Sequence, residues 1–344
     1  MSSLPHNELL RATSRSFYLT LRVLPAAIRR QIGFAYLLAR AADTIADTEI
    51  VPVDQRLDAL QKLREGIQGK NPASLNLSDL AGKQGTPAEK LLLEKIGATL
   101  KDLQTFSPED QKRIRDVLAI ITGGQALDLT RFAPKISADG SLRIIALESA
   151  ADLDDYTYRV AGCVGEFWTK VCRAHLFPDT RLDEEELRVN GVRFGKGLQL
   201  INILRDLPGD LKRGRCYLPT DKLEKFKLLP ATLLSRANES RFRPLFDEYL
   251  DKAESHLRAG WEYTNMLPYR QFRVRLACAW PILIGIKTIE KLRSTNVIEL
   301  QQGVKISRAE VRRLMVRSVL ACPVSPAWRN LFPAKPVALQ ENLA

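Results

Sequence analysis

"LLARAADTIADTEI", residues 37–50, sets Asp43 and Asp47 four positions apart in a run of small and apolar residues. Positions i and i+4 of an α-helix differ by about 40° and one turn, so the two carboxylates point the same way. Like charges so placed cost an isolated helix about 0.2–0.5 kcal/mol, and more where water is excluded. A second stretch, "LINILRDLPGDLKRGRCYLP" (200–219), repeats the spacing with Asp206 and Asp210. Arginine accompanies both pairs: Arg40 three residues before Asp43, Arg205 beside Asp206, and Arg215 a little further on.

A cation bound between such carboxylates removes their repulsion. Oxygen-only ligands from one or two carboxylates suit Mg²⁺, which completes its octahedron with water and phosphate oxygens. Guanidinium groups bind phosphate oxygens bidentately and stay charged at physiological pH. Asp43, Asp47, Asp206 and Asp210 are therefore the candidate metal ligands of a diphosphate site, with Arg40, Arg205 and Arg215 on the phosphates. A solvated acidic helix end is the plain alternative for a single D-x-x-x-D; two pairs on separate helices argue against it. Pro208 lies between Asp206 and Asp210 and is expected to end the helix near Leu207, leaving Asp210 on a turn with a less direct reach.

Composition narrows the class. The chain has 344 residues, 45% hydrophobic and 27% charged, as ordinary soluble globular proteins do. A net charge of +12 suits nucleic acid, anionic lipid or a polyanionic small molecule. Without an RNP-like aromatic motif, zinc-finger spacing or a continuous basic arm, no nucleic-acid partner is expected. Five scattered cysteines without C-x-x-C read as reduced, intracellular thiols, and three dispersed histidines leave only a hard metal ion held by oxygen. The N-terminus lacks a signal-peptide core, and the longest apolar run, "LACAWPILIGI" (276–286), falls short of the about 20 residues that span a bilayer. A cytoplasmic chain is expected, with any membrane contact at the periphery.

Apolar residues at i, i+3, i+4 and i+7 dominate throughout, so the expected fold class is all-α. Helices are expected at 24–48, 54–67, 88–104, 108–132, 151–177, 183–206, 220–235, 241–266, 270–294 and 306–321, with a loop over 68–90 and turns over 133–141. One domain over 1–332 with a loose tail over 333–344 is the simplest organisation. "VAGCVG" (160–165) predicts close helix packing through small residues.

Five blocks in order, "SRSFYL" (14–19), "YLLARAADTIADT" (36–48), "DYTYRVAGCVGEFW" (155–168), "GLQLINILRDLPGDLKRGRCYLP" (197–219) and "ACAWPILIGIKTI" (277–289), resemble the squalene and phytoene synthase family of head-to-head prenyl synthases. The resemblance implies an isoprenoid-synthase (terpenoid synthase) helical bundle around a deep central cavity, with the two aspartate motifs facing each other across its mouth. It implies condensation of two farnesyl diphosphates through presqualene diphosphate with Mg²⁺, and reduction by NADPH to squalene, as in bacterial-type squalene synthases. Tyr36 and Tyr156 match the family's active-site tyrosines, and Gln199 and Asn202 its polar cavity positions. Ser14, Arg15 and Ser16 match a phosphate or cofactor contact. "GVKISRAEVRRLM" (303–315) resembles the basic flap that serves the reductant, with Lys305 kept and the second basic residue displaced to Arg308. The cofactor contacts so implied are Arg15, Arg40, Arg205 and Lys305. Ala46 stands where squalene synthases often carry a third carboxylate. A presqualene diphosphate, dehydrosqualene or phytoene synthase remains the alternative within this chemistry, a non-catalytic helical assembly factor the alternative outside it. A monomer is favoured.

Overall fold

The computed structural model describes residues 4–13, 17–70, 77–136, 140, 142–297, 300 and 303–333. Ser14, Arg15 and Ser16, and the expected tail from residue 334, lie outside the described residues. The chain forms helices α1 (Leu4–Thr13), α2 (Phe17–Val23), α3 (Ala26–Asp47), α4 (Val53–Ile67), α5 (Ser78–Gly82), α6 (Pro87–Glu94), α7 (Ile96–Asp102), α8 (Pro108–Arg131) and α9 (Ala150–Thr157). They continue as α10 (Cys163–Leu176), α11 (Glu184–Lys212), α12 (Thr220–Lys225), α13 (Glu239–Met266), α14 (Phe272–Ser294), α15 (Arg308–Ala321) and α16 (Ser325–Arg329). The all-α expectation holds.

Local sequence sets the starts of the long helices. Pro108 occupies the first turn of α8, where a missing N–H costs nothing, and the Ser107 hydroxyl accepts from the Asp110 amide. Asp183 caps α11 in the same way through Glu186, and α9 opens on a Ser149/Asp152 capping box.

Three expected boundaries differ in the folded chain. Helix α11 does not end near Leu207 but runs through Pro208 to Lys212, so Asp210 is helical and not on a turn. Proline withdraws the hydrogen bond to the Leu204 carbonyl. Leu204, Leu207 and Leu211 are all buried along this stretch, and their packing outweighs the loss. The expected loop over 68–90 holds the short helix α5 and the start of α6, whose Thr86 cap and Pro87 are a start signal. The expected helix 220–235 stops at Lys225, and a 3₁₀ turn follows at Pro230–Thr232.

The helix expected over 151–177 is interrupted by a π turn, Tyr158–Gly162, between α9 and α10. Such widened turns recur at functional sites. There the small residues of 160–165 let α10 and α11 meet backbone to backbone. A Cβ built on Gly165 would lie 2.0 Å from the Gly191 carbonyl oxygen, and one on Gly195 2.3 Å from that of Ala161.

Two strands of two residues each, β1 (Ile145–Ala146) and β2 (Arg215–Cys216), pair in parallel with Ile145 opposite Arg215. The Ile145 amide donates to the Gly214 carbonyl (2.8 Å) and that of Leu147 to Cys216 (3.0 Å). Gly214 makes the turn from α11 into β2 at φ +77°, the left-handed region that suits glycine. This ladder fixes where Arg215 and Tyr217 point.

Candidate active site

An apolar cavity of about 310 Å³ lies at the centre of the bundle, walled by α2, α3, α8, α10, α11, α13 and α14 together with the π turn. Its walls include Ile121, Trp168, Phe194 and Pro281, and Tyr36, Gln199 and Asn202 also line it.

Three helices pass from that wall to carboxylates along a single face. On α3, Tyr36 and Ala39 line the cavity, and Asp43 and Asp47 follow at helical spacing. On α8, Val117 and Ile121 are followed by Gln125 and Asp128. On α11, Gln199 and Asn202 lead to Asp206 and Asp210. Successive steps of three or four residues keep one helical face, so all three acidic ends lie beyond the same end of the cavity. They are also the C-terminal ends of the three helices, whose dipoles add negative charge.

The acids and bases at this mouth are coupled. Arg213 approaches Glu49 (3.1 Å) and Asp210 (3.9 Å), and Arg215 reaches Glu49 (3.8 Å) and Asp128 (4.0 Å). Arg40 lies 3.9 Å from Asp43 but pairs more closely with Glu89, at 2.8 Å. The Gln125 amide donates to Asp43. Burial, then the neighbouring Asp47, raises Asp43 to about 6. Half of the Asp43 side chain is still accessible (50%). Both hold for a carboxylate in a concave mouth, which water reaches while protein fills most directions around it. Burial also raises Asp47, against the opposing pull of Arg215, Arg40 and Arg213. Asp210 is raised to about 7 by burial and by Asp206.

Arg215 acts on Asp47, Asp128 and Asp210 alike, so the two aspartate motifs share one electrostatic neighbourhood. Asp210, expected to reach the site less directly than Asp206, is the deeper of the two. Asp206 is half exposed and held by its neighbour Arg205 (2.8 and 2.6 Å), whereas only 16% of the Asp210 side chain is accessible. The continuation of α11 past Pro208 turns Asp210 inward.

Tyr156 stands at the mouth, one turn before the cavity-lining Val160. Its ring stacks on Tyr217 at 4.6 Å, and the Tyr217 hydroxyl donates to Asp128 at 2.9 Å. Burial, then the Asp128 charge, pushes the Tyr156 phenol upward, so it stays protonated. Lys305 belongs to neither the cavity lining nor the carboxylate group; its carbonyl accepts from Lys291 at 3.1 Å.

Gln125, Asp128, Tyr217, Glu49 and Arg213 were not among the residues expected from sequence. Gln125 and Asp128 carried a signal, two polar residues on the buried face of α8. Tyr217 carried none, because the β1–β2 pairing that places it joins segments 70 residues apart. Among the described residues no three His, Cys, Asp or Glu side chains gather into a ready-made metal site.

Comparison with known proteins agrees with this architecture. The chain is 30% identical to the 15-cis-phytoene synthase of Synechocystis sp. over 71% of its own length and 63% of the relative's. To the squalene synthase of Schizosaccharomyces pombe it is 24% identical over 91% of its length and 64% of the relative's. The chain thus spans a little under two thirds of the length of these relatives. The solved structure of TcSQS with a ligand superposes with a TM-score of 0.75 at 22% identity, covering 95% of this chain and 89% of that one. This shows the isoprenoid-synthase helical fold. The family model for squalene/phytoene synthase matches residues 10–310, nearly the whole described bundle, and the chain belongs to that family.

Proposed function

We propose that this chain is a squalene synthase, which joins two farnesyl diphosphates head to head into presqualene diphosphate and converts that to squalene with NADPH as reductant. The observation that carries the reading is the passage, on three helices, from an apolar cavity wall to a shared group of carboxylates and arginines. An amphiphile with a hydrocarbon tail and a diphosphate head fits that division.

The donors fit Mg²⁺. Asp43, Asp47, Asp206 and Asp210 offer hard oxygen only, and the buried Asp128 Oδ1 and Gln125 Oε1 have no hydrogen-bond partner. Held by these carboxylates, Mg²⁺ would supply positive charge to stabilise a departing diphosphate. Arg213 and Arg215 meet the same phosphates from the α11–β2 turn. The apolar walls keep water from the carbocation left by ionisation. The 2,3 double bond of the second substrate attacks that cation, and loss of a proton closes the cyclopropane. Tyr156, its ring stacked on Tyr217 whose hydroxyl donates to Asp128, assists that proton loss, and the released diphosphate carries the proton away.

NADPH lacks such a fit among the described residues. Arg40 is engaged by Glu89, Arg205 by Asp206, and Lys305 stands apart from the site. Reach of similarity does not separate the outcomes, since it covers 91% of the chain with the Schizosaccharomyces pombe squalene synthase and 94% with a bifunctional lycopene cyclase/phytoene synthase of Leptosphaeria maculans. The squalene outcome rests instead on the segment 303–315, which resembles the basic flap that serves the reductant. Higher identity, 30%, favours the competing phytoene-type reading, which needs no reductant. Purified protein with farnesyl diphosphate and Mg²⁺, with and without NADPH, decides. Squalene formed only with NADPH supports the proposal. Presqualene diphosphate that accumulates despite NADPH, or turnover of geranylgeranyl diphosphate alone, refutes it.

A further inference from the structure

Between residues 303 and 333 the chain carries six basic residues and one acidic residue. That single acid, Glu310, caps α15 through Ser307 and meets Lys291 at 3.3 Å. Among the described residues, Arg308, Arg312, Arg313 and Arg317 have no carboxylate within ion-pairing distance. What sets α15 apart is that four such guanidinium groups share one short helix.

The same helix exposes aliphatic side chains. Val316 is 59% accessible, Val319 50%, Leu320 72% and the following Val324 51%. At about 100° per residue, Val316 and Leu320 lie about 40° apart in the middle of the outward face, with Arg312 about 40° beyond Val316 on one side and Arg313 and Arg317 about 20° and 60° beyond Leu320 on the other. The inward face is fully used: the Trp280 indole donates to Ser318 at 2.9 Å, and Leu314 and Met315 pack on the core. Between α15 and α16 a shallow concavity of about 730 Å³ is lined by Arg312, Arg313, Val316, Arg317, Leu320 and Asn330.

We propose that the outer face of α15 docks on the surface of an anionic phospholipid bilayer, lying in the interface plane with Val316, Val319 and Leu320 at the acyl boundary and the arginines on lipid phosphates. Charge complementarity and the central apolar stripe select this occupant together. A second copy of the chain would set arginine against arginine across a two-fold interface. Nucleic acid would take the arginines but press the aliphatic stripe against phosphates. With 14 residues α15 is too short to span, and among the described residues no helix is long and apolar enough to cross a membrane. The inference is independent of the chemistry assigned to the cavity.

The test is flotation of the full chain with vesicles of phosphatidylcholine alone or with about one third phosphatidylglycerol. Binding is expected only with the anionic lipid and should weaken as salt is raised. A lysine or arginine near such a surface is worth about fivefold in partitioning, so Arg312→Gln/Arg313→Gln/Arg317→Gln should lower it about a hundredfold. Val316→Ser/Leu320→Ser should lower it about tenfold at constant charge. Melting temperatures within a few degrees of wild type show that both variants fold. Equal binding to neutral vesicles, or a triple variant that floats like wild type, overturns the proposal. So does a Val316→Ser/Leu320→Ser variant with undiminished vesicle binding that shifts duplex DNA at the same salt, which would make the face a nucleic-acid surface.

Discussion

Replacing Gly165 by alanine tests the geometry on which the cavity depends. The new Cβ would sit 2.0 Å from the Gly191 carbonyl oxygen and 2.3 Å from its carbon, where ordinary contact begins near 3.4 Å. The obstructing atoms are backbone, so no rotamer change relieves them, and α10 and α11 must part by about 1.4 Å. Overpacking a tight interior costs about 1–3 kcal/mol, and a backbone clash belongs at the upper end. Alanine returns up to about 1 kcal/mol in helix propensity, leaving a net loss of about 2 kcal/mol. For a domain of this size that lowers Tm by about 3 °C. Gly123 is the internal control: it lies within α8, and a Cβ added there would meet nothing within 4 Å, so Gly123→Ala should leave Tm unchanged or raise it. Gly165 and Gly191 also line the cavity, so turnover should fall with the Gly165 substitution and not with the control. Thermal unfolding followed by circular dichroism reads both. A Gly165→Ala protein as stable as Gly123→Ala would refute the close crossing.

Two further substitutions probe the charges. Asp210→Asn removes a carboxylate that burial and Asp206 hold up to about 7, so the variant should be at least as stable as wild type in EDTA while turnover with Mg²⁺ falls at least a hundredfold. Comparable turnover in the variant would remove Asp210 from the site. Asp110 is buried, and although burial alone would raise it, hydrogen bonds from His175, Gln31 and Arg113 hold it below the ordinary carboxylate range. A depressed folded-state value adds stability above the unfolded value, near 4, and that contribution disappears as pH falls through the folded one. Asp110→Asn should therefore cost about 3 kcal/mol at pH 7 and progressively less below pH 4, measured as Tm against pH. A pH-independent difference would show that packing, not charge, accounts for the loss.

Much of this was legible along the chain because it is local. Helical spacing of apolar residues, the Ser107–Pro108 start and the two D-x-x-x-D pairs belong to single segments, and each survives in the folded molecule. Small residues at 160–165 foretold a close crossing because only glycine lets two backbones approach so far. Where local chemistry misled, as at Pro208, the missing hydrogen bond was outweighed by leucines whose burial depends on helices distant in sequence.

What the order of residues determined by itself was the helical class and the acidic motifs, since periodicity and spacing are properties of one helix, together with the resemblance of five ordered blocks to the family. What only the tertiary structure decided was which acids sit deep and which partners they keep. Asp210 lies inside Asp206, and Asp128 and Tyr217 join Tyr156, because α3, α8 and α11 end at the same mouth and β2 pairs with β1. Electrostatic depth depends on the atoms that surround a charge, and those come from segments that the linear sequence keeps far apart.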